Sequence, residues 1–314
     1  MRKYFKWQTA YSIFPSFRLL LLFLPLLLNG CAVRQYAFNS ISDAIAESGD
    51  TFAADNDPEL VRDASAFSLK LMESLLAENP KHRGLLLAAA KGFTQYAYAY
   101  VQQHADVIED SDVTKSYSER ERARRMYLRA RDYGLRGLSL RQPDFPEQLR
   151  TNPSATVSRM PADDIALLYW TGVSWAAAIA LGKDDPYLIA DLPVVEALIM
   201  RAYEIDETYD DGDLHVFLIS YQMSRSAVTP DAVQQARQHF ARAVELSQGM
   251  QAAPYVALAE AVSITEQNRE EYTTLLNQAL AINPDNHPGW RLTNIIMQQR
   301  AQWLLSRTDE YFTE

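Results

Sequence analysis

The chain has 314 residues, 48% of them hydrophobic and 11% aromatic, which is enough for a substantial core and excludes a disordered protein. Its formal charge of −10 argues against non-specific binding to nucleic acid. With only 11 Gly, 14 Pro and no run of alternating Val, Ile and Thr, the composition points to an all-α fold.

Residues 1–30 have the layout of a bacterial signal peptide. Arg2, Lys3, Lys6 and Arg18 precede the apolar run Leu19 to Leu28, and Asn29 and Gly30 lead to Cys31, the only cysteine. Leu28-Asn29-Gly30-Cys31 looks like a lipobox, which makes Cys31 the lipidated first residue of a mature protein anchored by acyl chains. Loss of four positive charges on processing would take the formal charge to about −14, and a lone cysteine leaves no disulfide. Ala32 and Val33, where the enterobacterial sorting rule would place an aspartate for retention, favour the periplasmic side of the outer membrane.

Residues 31–57 mix small, polar and acidic side chains and read as a tether; a single helical domain is expected over 58–314. There a trio at spacings four and three recurs: Ser68, Met72, Leu75; Ala123, Tyr127, Ala130; Val195, Ile199, Ala202; Ala236, Phe240, Ala243; Tyr272, Leu276, Ala279. Prolines follow the first and last, in AENPKH and AINPDN, as in the second half of a tetratricopeptide repeat. The irregular spacing between trios marks the repeats as degenerate. Partner helices are expected near 84–108, 163–182, 212–226, 252–266 and 288–305, giving about ten helices in antiparallel pairs.

Helix starts are expected at Asp191 with Pro193, at Thr229 with Pro230, and at His287 with Pro288. Residues 140–164, with four prolines, read as a long surface loop and a candidate partner surface.

Four features carry candidate site residues. In GFTQYAYAYVQQ, a helix places Phe93, Tyr96 and Tyr100 on one stripe that either lines a cavity or packs between helices. Ile165 to Leu181 has seventeen residues without a charge and spans roughly 26 Å, short of the ~30 Å hydrocarbon layer, so it reads as a buried central helix. In it Trp170 and Trp175 point apart: either both are core, or one looks into a concave surface. His215 is a core histidine or a ligand contact, and Arg291, Asn294 and Gln298 form a polar stripe that lines a groove or faces solvent. The basic segment 115–136 is an amphipathic helix whose charges are a solvated face or meet an anionic lipid or acidic protein. No HExxH, GxSxG, P-loop or GxGxxG occurs, so neither an enzyme, a metal site nor a cofactor is expected.

YWTGVSWAAAIALGKDD, DLPVVEALIMRAYEID, DDGDLHVFLISY, ARQHFARAVELS, APYVALAEAVSI, NREEYTTLLNQALAINPD and RLTNIIMQQRAQWLLSRTDEYF resemble, in order and spacing, the T component (TatT) family of tetratricopeptide-repeat-associated TRAP transporters. The resemblance implies a periplasmic lipoprotein of helical repeats that associates with a TRAP solute-binding protein. It further implies a homo-oligomer with a cavity or pore in each protomer, suited to a small hydrophobic or amphipathic organic acid. It sets Trp175, His215 and Asn294 at recurrent family positions. The alternative is a general lipoprotein scaffold for another envelope complex.

Overall fold

The computed structural model of the protein describes residues 40, 42–46, 49–224 and 229–312. The signal segment and Cys31 lie outside them. Among the described residues there is no strand, and the fold is all-α, a stack of helices in packed pairs.

Pro58–Glu78 packs on a helix that begins at Arg83 and runs without a break to Ile108. Val113–Ser139 lies between that helix and Ile165–Leu181, and Leu192–Ile205 covers Ile165–Leu181 from the other side. Tyr209–Met223 pairs with Pro230–Leu246, the helix from Ala253 to Ser263 pairs with Arg269–Ala281, and Arg291–Ser306 packs on Arg269–Ala281. These are the ten expected helices, to which several short ones are added.

Local chemistry sets their starts. The Asp57 carboxylate accepts from the amides of Glu59 and Leu60 at 3.0 Å, and Thr229 Oγ1 accepts from Ala232 at 3.2 Å; each such cap contributes about 1 kcal/mol. Asp191 precedes Leu192–Ile205 without a side-chain cap bond, and the last helix starts at Arg291 after a 3-10 turn, Pro288–Trp290. The trios are the buried stripes of the second helices: only Ser68 and Phe240 of their fifteen residues are half-exposed.

Residues 140–164 depart from expectation. They form two short helices, Phe145–Thr151 and Pro153–Val157, and a 3-10 turn, Ala162–Asp164. Phe145, Leu149, Val157 and Met160 are buried in the main core, so this is an insertion that folds inward and not a surface loop. The prolines misled because two of them, Pro146 and Pro153, stand in the first turns of helices, where the missing N–H costs nothing. The stretch taken as a tether also docks in part. Ile45 and Ala46 pack on the cluster that holds Leu69, Leu76, Leu85 and Phe93, and the Asp43 carboxylate lies 3.2 Å from His82.

The central helix, extended to Ala162–Leu181, is apolar and long enough to cross a membrane, yet it is enclosed by protein. Small residues allow the approach. A Cβ at Gly137 would stand 2.6 Å from Leu167, and one at Gly172 would stand 2.7 Å from Ile199. Gly134 lies closer still against Thr171, whose hydroxyl returns to the Leu167 carbonyl.

The chain closes on itself. Arg291 donates to the Ala54 carbonyl at 2.8 Å, Arg300 pairs with Asp106 at 2.9 Å, and Arg307 pairs with Asp110. The last helix therefore meets the first hairpin, and the helices that lead each pair form a ring.

Candidate functional site

Two interruptions in helical pitch fall on this ring. Residues Ala97–Gln102 and Ala259–Ser263 are π turns, each within a helix otherwise α. Such turns weaken hydrogen-bond geometry locally and recur at functional sites. They lead to one polar network. Glu260 accepts from Arg300 at 2.6 Å, Arg300 reaches Asp106, and Asp106 accepts from Arg120 at 3.0 Å, which also holds Glu109. Burial works against the Arg300 charge, but Glu260, Tyr98 and Asp106 hold it ionised. Tyr98, whose hydroxyl faces the Met297 sulfur at 3.8 Å, is pushed up to about 12 by burial and then by Glu260.

A second group joins the first three helices of the ring. Lys91 Nζ lies 5.5 Å from the centroid of the Trp170 ring, and Trp170 meets Tyr169 edge-on at 5.1 Å. Tyr169 donates to the Asp213 carbonyl at 3.3 Å and packs on Tyr209. Burial, reinforced by Asp210 and Asp211 and opposed by Lys91, pushes the Asp213 carboxyl up to about 8. Just before it the backbone is left-handed at three successive residues, Asp210 (φ 51°), Asp211 (φ 53°) and Gly212 (φ 106°). A left-handed non-glycine residue costs roughly 1 kcal/mol and persists only where its surroundings impose it.

A third cluster surrounds His215. Its Nε2 lies 2.7 Å from Glu207, and its Nδ1 lies 2.9 Å from His239 Nδ1. One proton fits between two facing nitrogens, so the histidines cannot both be charged in this geometry. Burial, then the His215 charge, lowers His239 to about 4, while Arg242, against burial and helped by His215, lowers Glu207 to about 2.

The residues singled out from sequence fall in different places. Tyr96 and Tyr100 pack together at 5.4 Å, and the Tyr100 hydroxyl is buried without a partner, its pKa raised by burial to about 12. Trp170 joins the Lys91 group, whereas Trp175 is buried beneath Arg131 at 4.9 Å. His215 is buried in its cluster with Tyr203 edge-on.

The stripe on the last helix ties helix ends. Asn294 accepts from the Ala252 amide at 2.8 Å and donates to the Met250 carbonyl at 2.9 Å. Gln298 donates to the carbonyls of Ala279, Leu280 and Ile282, the end of Arg269–Ala281. Arg291 Nε stands 2.9 Å from Asp285 without hydrogen-bond alignment.

In the basic helix most arginines face carboxylates: Arg120, Arg122, Arg124, Arg129 and Arg131 are all in ion pairs. Sequence reasoning passed over Lys91, Asp213, Glu260 and Arg300. Lys91 had a signal, being the single charge between Gly84 and Val101.

A ring of helical hairpins with polar groups on its leading helices defines an all-α helical-repeat protein. The chain belongs to the TRAP transporter T-component family, whose model matches residues 54–312. It is thus an accessory component of a TRAP transport system, associated with the cell envelope. A protein of Treponema pallidum (strain Nichols) described as uncharacterized is 26% identical over 307 residues, covering 92% of this chain and 95% of its own.

Proposed function

We propose that this T component is a periplasmic lipoprotein that binds a TRAP solute-binding protein and holds an apolar or amphipathic organic acid in a cavity within the ring of leading helices. The family match over 54–312 carries the reading. The ring closure, which joins helices nearly 200 residues apart in sequence, supports an enclosed site. In this reading residues 1–30 are removed, Cys31 is acylated and anchors the protein to the outer membrane, and the helical domain acts as a homo-oligomer. Leu60 and Phe67, exposed on one face of Pro58–Glu78, suit a contact with another chain.

The test is affinity capture from the periplasmic extract of the host, with mass spectrometry of what is retained. A TRAP solute-binding protein is the expected catch. Retention of envelope-assembly proteins without one would favour the scaffold reading.

A further inference from the structure

Lys91 is an exception among the cations of the ring. Arg83, Arg291, Arg300 and Arg307 each meet a carboxylate, whereas Lys91, half-buried, has neither an ion pair nor a hydrogen bond among the described residues. A half-dehydrated ammonium without an anion is costly, and the face of one indole compensates only in part. Asp213 is near enough to feel its charge but does not pair with it. The left-handed turn at 210–212 leaves Asp210 and Asp211 exposed and carries the chain inward to Asp213.

We propose that Lys91, Asp213 and the indole of Trp170 form a binding station for the carboxylate of an amphipathic acid, with Lys91 supplying the charge and the Asp213 carboxyl a donated hydrogen bond. The inference rests on the cavity reading above. The ligand carboxylate completes the coordination of Lys91, with the aromatic side chains of Trp170, Tyr169 and Tyr209 clustered beside it. A cationic ligand fits poorly, because Lys91 repels it and burial favours the neutral form of Asp213.

The same groups make binding depend on pH. Asp210 and Asp211 from its own helix, Lys91 from Arg83–Tyr96, and the hydroxyls of Tyr169 and Tyr209 surround Asp213. Burial holds both tyrosines above their ordinary value, so they stay neutral. Below about 8 the Asp213 carboxyl keeps its proton and donates a hydrogen bond to the ligand; above 8 it ionises, repels the ligand and competes for Lys91.

Calorimetric titration of the full chain with octanoate, octanamide and succinate at pH 7 and pH 9 tests this. Octanoate is expected to bind at least tenfold more tightly than octanamide at pH 7 and to weaken about tenfold at pH 9. Lys91→Met should reduce octanoate binding at least tenfold and leave octanamide unaffected, Lys91→Arg should restore octanoate, and Asp213→Asn should remove the pH dependence. Succinate binding that is as tight as octanoate and sensitive to Lys91→Met would support the station and assign a small polar acid to it.

Octanoate binding unchanged in a folded Lys91→Met variant would overturn the proposal while leaving the cavity, if octanamide still binds. Failure of all three ligands to bind would overturn the station and the cavity reading together. Capture of the solute-binding protein tests the transport reading separately.

Discussion

The middle of the molecule and the seam that closes it are held by opposite chemistry. Between Val113–Ser139, Ile165–Leu181 and Leu192–Ile205 the contact is apolar, and Gly134, Gly137 and Gly172 let the helices approach closely. At the seam the last helix meets the first hairpin through Arg300, Asp106, Arg307 and Asp110, with Glu260 bound to Arg300 and with Tyr98 against Met297 as an apolar bridge. Close-packed apolar surface has one good arrangement, whereas ion pairs at a partly wet boundary tolerate small displacements. The difference locates rigidity in the middle and places the adaptable joint at the seam.

The largest effect is expected from overfilling the middle. Gly134→Leu drives a side chain into Thr171 and should destabilise the fold by about 3 kcal/mol, read as a drop in Tm. An unchanged Tm would mean that these helices are not tightly packed.

Arg300→Met should cost about 2 kcal/mol, because it strands Glu260 while Asp106 keeps Arg120. Its distinguishing mark is local: amide hydrogen exchange should rise at 97–108 and 291–306 and stay low in 165–181. Uniform acceleration would remove the distinction between joint and core.

The smallest effect concerns pH. His239 folds with its pKa lowered to about 4, so the unfolded chain takes up its proton first. Stability from this group is complete above the unfolded value of about 6.5 and is lost as pH falls through 6 toward 4. Glu207, lowered to about 2, adds a loss beginning below about 4.5. A melting series should show wild-type Tm declining from pH 7 to pH 4.5, and His239→Gln should flatten that decline. An equal decline in both would discharge His239 from the role.

Much of the architecture was legible because it is written locally. The trio at spacings four and three marks a buried stripe wherever it occurs, and Val195, Ile199 and Ala202 sit where that rule puts them. The proline count misjudged 140–164, since prolines mark helix starts as readily as loops, and it is the burial of Phe145 and Leu149 that separates the two. Site residues were read less well. Asn294 and Gln298 looked like a polar face, and their amides turned out to complete the ends of other helices.

The sequence alone determined the helices, their caps and their apolar faces, because each depends on neighbours within one or two turns. Only the tertiary structure decided that Arg300 would find Asp106, that Lys91 would be left beside Trp170 without an anion, and that the last helix would return to the first. Those outcomes join residues from tens to more than two hundred positions apart, and they depend on the accumulated rotation of the helical pairs, which no local pattern encodes.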